Sequence, residues 1–87
     1  MPSKTVTVGS SVGLHARPAG LIAQAAADTG VTVTIANVGE EDEGVDAGSA
    51  LMIMTLGAKF GDQVVVTSDD EAALTTVAGL VEQDLDA

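Results

Sequence analysis

Apolar and polar residues alternate along residues 4–8 and 31–36, and this period of two predicts a half-buried strand in each segment. A third strand is predicted over residues 63–67, where three consecutive valines stand, and a short one near Val45. Four threonines suit the sheet face that no helix covers: Thr5, Thr7, Thr32 and Thr34. The strand pattern therefore predicts a sheet with one apolar and one polar face.

A different spacing, typical of a helix, begins at Ala16 and runs to about Thr29. Its apolar positions fall on one stripe, formed by Ala19, Ile22, Ala23 and Ala26. Gly30 follows as the expected C-terminal cap, because glycine readily adopts the left-handed conformation that ends many helices. We therefore predict a first helix that buries this stripe against the sheet.

Two more helices are predicted from their capping residues. Ser49 is the expected N-cap of a short helix through Leu56, which Gly57 ends. Ser68 and Glu71 have the spacing of a capping box and open a last helix. The apolar face of that helix holds Leu74, Val77, Ala78, Val81 and Leu85. The predicted element order is therefore β-α-β-β-α-β-α.

This order predicts an α+β fold built as an open-faced β-sandwich, with a four-stranded antiparallel sheet covered on one face by three helices. The 87 residues are expected to form one small domain, residues 1–87, without a repeat, linker or low-complexity segment. Such a domain is most simply a monomer.

Charge and composition narrow the range of functions. The chain has 3 Lys and Arg residues against 13 Asp and Glu, a formal net charge of −10, and a single Phe, Tyr or Trp residue, Phe60. An acidic chain without stacking side chains argues against binding to nucleic acid or to anionic membranes. Because it has no cysteine and one histidine, neither a metal nor another cofactor is expected. No signal peptide or membrane span is recognisable, so the cytoplasm is the expected location.

The chain's one histidine, His15, lies two residues before its one arginine, Arg17, and Pro18 marks the first turn of the predicted helix. Imidazole is nucleophilic near neutral pH, while guanidinium and free helix N–H groups bind phosphate oxygens. Gly9 and Gly13 bracket a loop that is expected to bend closely around a ligand. These features favour phosphoryl transfer to His15. General-base catalysis would need a deeper pocket, and nothing specifies a catalytic triad.

Residues 13–19, Gly-Leu-His-Ala-Arg-Pro-Ala, resemble the active-centre motif of HPr, the histidine-containing phosphocarrier family of the bacterial phosphoenolpyruvate-dependent sugar phosphotransferase system. Residues 49–57 are similar to that family's short second helix. The resemblance implies that enzyme I phosphorylates His15 on Nδ1 and that His15 passes the group to IIA components of sugar permeases. Arg17 would steady the phosphate, and the chain would be a protein co-substrate rather than an enzyme.

Residues of the second motif have two interpretations. Ser49 is an N-cap, but some family members carry a regulatory, kinase-phosphorylated serine at this position. Here Gly48 precedes it, where those members have a lysine. Ala50, Leu51 and Met54 are candidates for a docking patch beside His15, or some of them belong to the core.

The first helix departs from the family pattern on its exposed face, because Gln24 and Ala27 stand where other members often carry lysines. So acidic a carrier is expected to meet a basic partner surface, and transfer from that partner should slow as ionic strength rises. Two alternatives stay open beside the sugar phosphocarrier. One is a non-transferring regulatory module of the same fold, and the other is the phosphocarrier of the nitrogen-regulatory branch.

Overall fold

A computed structural model of the chain describes residues 2–11, 13–14 and 16–83. Within these residues the elements are β1 (Ser3–Thr7), α1 (Ala16–Asp28), β2 (Thr34–Asn37), a one-turn 3₁₀ helix (Glu41–Glu43), β3 (Val45–Asp46), α2 (Ala50–Thr55), β4 (Gln63–Thr67) and α3 (Glu71–Glu82). The predicted order of strands and α-helices is confirmed. Among the residues described, no helix is long and apolar enough to cross a membrane.

The four strands form one sheet in the order β1-β4-β2-β3, with every neighbouring pair antiparallel. Alternate residues point to one face: Val6 lies opposite Val64, and Ile35 lies opposite Val66, all of them buried. These side chains share a single core with apolar residues of the three helices. The predicted open-faced α+β sandwich is therefore confirmed.

The opposite face of the sheet is polar, as the strand pattern predicts. Thr5 and Thr7 alternate with the buried Val6, and Thr34 precedes the buried Ile35. Thr5 lies opposite Val65 of β4 across this face. Threonine suits a half-covered strand because its branched side chain packs against neighbours while its hydroxyl stays in water.

The first helix buries the stripe that its spacing predicts, since Ala19, Ile22, Ala23 and Ala26 are all in the core. It ends at Asp28, one residue before the predicted end. Gly30 follows with a φ of +73°, and its amide donates to the Ala27 carbonyl at 3.2 Å. The glycine is thus used as predicted, to turn the chain after the last helical residues.

The second strand is shorter than predicted. Its alternating pattern starts at Val31, but β2 begins at Thr34, and the exposed Val31 lies in the turn after α1. The Thr29 hydroxyl donates to the Ala26 carbonyl at 2.6 Å and accepts from the Val31 amide at 3.3 Å. This side chain therefore engages backbone that a strand would need. Thr32 also precedes β2, where it is exposed, so of these two threonines only Thr34 lies within the strand.

The N-cap of the last helix was also predicted wrongly. Asp70, not Ser68, caps α3, and its carboxylate accepts from the amides of Ala72 and Ala73 at 2.9 and 3.1 Å. Ser68 is buried, where its hydroxyl donates to the Thr32 carbonyl at 2.9 Å and accepts from the Asp70 amide at 3.2 Å. A buried hydroxyl needs such partners, and here they tie the start of α3 to the sheet.

The apolar face of α3 agrees with its predicted spacing. Leu74, Val77, Ala78 and Val81 are buried in the shared core. Leu85, the last residue predicted on this face, lies outside the described residues. The helix therefore closes the core on the side of β1 and β4, with which it is in contact.

Candidate functional site

Arg17 stands in the first turn of α1 with its side chain exposed. Pro18 beside it is buried, and no acidic residue lies in this first turn. None of the acidic side chains in the described part of the chain pairs with Arg17. His15 itself lies outside the described residues, but the backbone before it and after it is described. The structure thus places at the start of a helix a guanidinium that has no acidic partner among the described residues, where free N–H groups add partial positive charge.

The loop before His15 is fixed by a close approach of two backbones. Gly13 has a φ of +75°, and the Leu14 amide donates to the Ala58 carbonyl at 3.0 Å. A Cβ added to Gly13 would lie 2.5 Å from the Ala58 oxygen and 2.9 Å from the Cα of Lys59. Glycine is therefore needed here for its conformation and for the missing Cβ.

The other glycine of this loop packs against the end of α3. The Gly9 amide donates to the Val81 carbonyl at 3.0 Å, and a Cβ on Gly9 would overlap the Glu82 carbonyl. The buried Ser10 hydroxyl donates to the Gln83 carbonyl at 3.3 Å. Both glycines of the loop thus permit close backbone contacts within the protein, and the bending of this loop around a ligand stays a prediction.

The turn of residues 58–62, which follows α2 in the sequence, also contacts this loop. The Gly61 amide donates to the Val8 carbonyl at 3.1 Å, and the Val8 amide donates to the Asp62 carbonyl at 2.8 Å. Within the turn, the Lys59 amide donates to Asp62 Oδ2 at 3.0 Å. Lys59, whose side chain is exposed, is brought beside Gly13 through its backbone. Sequence reasoning did not single it out, because no local pattern marks a residue that a distant backbone contact brings to this loop.

The short helix α2 packs against α1 and begins at its predicted cap. The Ser49 hydroxyl accepts from the Met52 amide at 3.3 Å, and Gly57 follows the helix with a φ of +66°. Ala50 and Met54 are half-buried against the core, whereas Leu51 is 69% exposed. The second interpretation, core packing, thus fits Ala50 and Met54 in part. Met52, also exposed, is an apolar surface residue that the sequence did not single out.

The surface around Arg17 contrasts with an open depression of about 600 Å³ at the end of the sheet. Asn37, Leu56 and Gln63 contribute to its lining, together with the acidic Glu40 and Asp62. An acidic lining is unsuited to a phosphate, and Arg17 does not contribute to it. Among the residues described, no group of three or more acidic or histidine side chains could hold a metal ion.

The sequence and fold match one family throughout the described chain. A family model described as the phosphorylation site of the HPr component of the phosphotransferase system matches residues 2–83. The chain belongs to the HPr family. Phosphocarrier protein HPr of Streptomyces coelicolor is 44% identical over 89 residues, which covers 99% of this chain and 94% of that relative. Members of the HPr family are phosphocarrier proteins, not enzymes, as the sequence resemblance implied.

Solved HPr structures have the same fold. The HPr of Bacillus anthracis superimposes with a TM-score of 0.79 at 32% identity, over 92% of this chain and 95% of that one. An HPr structure from Thermoanaerobacter tengcongensis gives 0.82 at 30% identity, over 94% and 92%. The HPr sandwich is therefore retained although about two thirds of the residues differ from those of these two proteins.

Proposed function

We propose that this chain accepts a phosphoryl group on His15 from phosphorylated enzyme I and donates it to IIA components of sugar permeases. The observation that carries the proposal is the family match, which spans the motif of residues 13–19. Arg17, two residues after His15, supports it, because its side chain is exposed and has no acidic partner in the described part of the chain. The chain would act in the cytoplasm as a monomeric co-substrate, and would need no metal or other cofactor.

The transfer step is an in-line displacement at phosphorus. A ring nitrogen of neutral His15, Nδ1 by resemblance to the family, forms the new P–N bond with its lone pair, and the other ring nitrogen keeps its proton. The bond from phosphorus to the donor atom breaks, and its electron pair leaves with the donor. Passing the group to an acceptor repeats the displacement in the opposite sense, so the carrier returns unchanged.

Arg17 and the start of α1 would supply the counter-charge. A guanidinium donates charge-assisted hydrogen bonds to phosphate oxygens, and amides in the first helical turn point toward an anion held there. Arg17 is exposed and has no competing acidic partner among the described residues. It is therefore free to bind the phosphoryl group as that group arrives.

Ala50, Leu51 and Met54 are proposed as the docking patch for both partner proteins. The packing of α2 against α1 supports this assignment, since α1 begins directly after His15. Leu51 has the most exposed apolar surface of the three, because Ala50 and Met54 are partly buried against the core. Leu51 and the adjacent Met52 are both exposed, and together they offer apolar surface that a partner protein would cover.

Ser49 is proposed, separately, as a regulatory phosphorylation site. Its hydroxyl accepts a hydrogen bond from the Met52 amide, so a phosphate there would lie at the start of α2 and beside the docking patch. Asp46, whose carboxylate accepts from the Gly48 amide at 2.8 Å, lies three residues earlier and would add like charge. Kinase treatment followed by phosphopeptide mapping tests the site, and phosphate absent from Ser49 with known HPr kinases would refute it.

Incubation with enzyme I and labelled phosphoenolpyruvate tests the main proposal. We expect label that is stable in alkali, labile in acid and absent from His15→Ala, as for a phosphoramidate. Ser49→Ala is the matched control and should label like the wild type. A purified IIA protein added afterwards should remove the label. An unlabelled wild-type chain would refute phosphocarrier function and favour the non-transferring module.

A further inference from the structure

The turn after α2 brings a second cation to the loop that precedes His15. The Cα of Lys59 lies 2.9 Å from the position that a Cβ on Gly13 would occupy. The neighbouring backbones are joined by the hydrogen bond from Leu14 to Ala58. Lys59 is therefore packed through its backbone against a residue two positions before His15, although the two are far apart in sequence.

The position of Lys59 does not depend on its own side chain. The turn is held by backbone hydrogen bonds between Gly61 and Val8 and between Val8 and Asp62, and by the Asp62 carboxylate, which accepts from the Lys59 amide. The Lys59 side chain is exposed, and it forms no ion pair within the described part of the chain. Substituting this side chain should therefore leave the frame of the site in place.

The distribution of charge makes this position unusual. Only 3 cationic side chains stand against 13 acidic ones, yet both Arg17 and Lys59 adjoin the segment that holds His15. The exposed face of α1 adds no further cation, because it carries Gln24 and Ala27. The remaining cation, Lys4, lies on β1 four residues before Val8, about 13 Å along an extended chain.

We propose that Lys59 is a second phosphate-directed cation of this site, which attracts the phosphoryl group of the donor protein while Arg17 binds it. This inference rests on the proposed phosphocarrier function. A lysine is suited to the task because its ammonium is a mobile point charge that acts through space without a fixed hydrogen-bond geometry. In an otherwise acidic protein, it would locally offset the repulsion that a dianionic phosphate meets.

Lys59→Ala should lower kcat/KM for transfer from phosphorylated enzyme I, with the carrier as the varied substrate. Loss of a unit charge that attracts a dianionic phosphate should lower kcat/KM a few-fold at low ionic strength, and screening should make the loss smaller at physiological salt. The slope of log kcat/KM against ionic strength should therefore become shallower in the variant. If Lys59 had only a structural role, the slope would be the same in the variant and the wild type. A cation restored at this position by Lys59→Arg would then have no special effect on transfer.

Two variants serve as controls. Lys59→Arg keeps the charge and should retain kcat/KM and its salt dependence. Lys4→Ala removes the same charge from the far part of β1 and should change kcat/KM less than Lys59→Ala at low ionic strength. Urea unfolding of all three variants should give midpoints close to that of the wild type, since both lysines are exposed.

The outcomes separate this inference from the function on which it rests. If Lys59→Ala and Lys4→Ala slow transfer equally, the Lys59 inference is wrong, because net charge alone then explains the loss. Failure of Lys59→Arg to retain transfer would overturn it too. If the wild-type chain takes no label on His15, the phosphocarrier proposal itself fails. Labelling of the wild type with unaltered kinetics in Lys59→Ala would contradict the Lys59 inference alone.

Discussion

Two helices of this small domain begin in opposite ways. At the start of α3, the Asp70 carboxylate accepts from two backbone amides, and Glu71 adds negative charge to the first turn. At the start of α1, the first turn has no acid and instead carries Arg17. The start of α3 therefore has negative charge next to the positive end of its helix dipole. The start of α1 instead has a cation there, which is locally unfavourable.

The difference indicates that the start of α3 serves stability, and it favours a binding role for the start of α1. A cap whose charge is opposite to that of the helix end stabilises the helix, and it leaves few free N–H groups for an external anion. A cation at a helix N-terminus destabilises slightly, and this cost is recovered only when an anion is bound between the cation and the free amides. A residue that breaks the local rule is therefore the better functional candidate, provided that its removal spares the fold.

The largest expected effect comes from Arg17→Ala. Transfer from phosphorylated enzyme I should fall about 10- to 100-fold, because a hydrogen bond to a charged group contributes about 1.5–3 kcal/mol. The free energy of unfolding should stay within about 0.5 kcal/mol of the wild type, since the side chain is exposed and forms no ion pair with any residue that the structure describes. Rapid-quench kinetics and urea titration measure the two quantities. Lost stability with intact transfer would reverse the comparison.

Next in size is Gly13→Ala, with Gly30→Ala as its matched control. Both glycines have left-handed backbones, which cost a residue with a side chain about 1–2 kcal/mol. Only at Gly13 would the new Cβ also meet backbone, 2.5 Å from the Ala58 oxygen, whereas Gly30 has nothing within 4 Å. Gly13→Ala should therefore unfold more easily and transfer more slowly. Equal stability losses would show that the contact with Ala58 does not constrain the loop.

Asp70→Ala should produce the converse of the arginine variant. Loss of the cap should lower the free energy of unfolding by about 1 kcal/mol. Phosphoryl transfer should be unaffected at temperatures where the variant is fully folded, because α3 begins away from the His15 segment. Asp70→Asn keeps a capping oxygen and should recover most of the stability. Slower transfer in Asp70→Ala at a temperature where it is fully folded would contradict the division of roles.

A smaller effect is expected at α2. Leu51→Ala should raise KM for transfer about fivefold, as truncation of a contact residue typically costs about 1 kcal/mol, and should leave unfolding unchanged. Ile53, which is fully buried, is the contrasting neighbour. Ile53→Ala should lower the free energy of unfolding by about 2–5 kcal/mol. If Leu51→Ala transfers normally with both enzyme I and IIA, the docking patch is assigned wrongly.

The smallest effect is that of salt on the wild type. Transfer from enzyme I should slow by a few-fold as ionic strength rises, since the Debye length shrinks to about 3 Å at 1 M and weakens steering of an acidic carrier. The cap of α3 should respond less, because Asp70 contacts its amides directly. Kinetics and unfolding at matched ionic strengths give both responses. A flat transfer rate would argue against electrostatic recognition by the partner.

Local signals predicted most of the fold. Period-two alternation located the strands and the stripe on α1 located its buried face, because burial itself imposes those periods. The cap at Ser49 was predictable for a different local reason, because its hydroxyl accepts a hydrogen bond from an amide only three residues later. At the start of α3, the Ser68 hydroxyl and the Asp70 carboxylate were both possible caps. Asp70 is the cap because the Ser68 hydroxyl is buried and bonded to the Thr32 carbonyl.

The site was predictable only where it is continuous in sequence. Residues 13–19 are adjacent along the chain, so their chemistry could be seen together. Lys59 reaches the same place by a backbone contact with Gly13, and no period or spacing encodes such a contact. The early start assigned to β2 has a related cause, because the alternation at Val31 fits a strand equally well until the Thr29 side chain engages the backbone.

The hydrogen bonds that join Val8, Leu14 and the 58–62 turn have a consequence for reversibility. Because the flanking backbone is already braced, we expect the proposed phosphate site to need little rearrangement when a phosphoryl group arrives or departs. Polar groups oriented in advance lower the barrier equally in both directions, because the same transition state is crossed each way. A relay protein gains from this symmetry, since a site that held its cargo too firmly would become a trap.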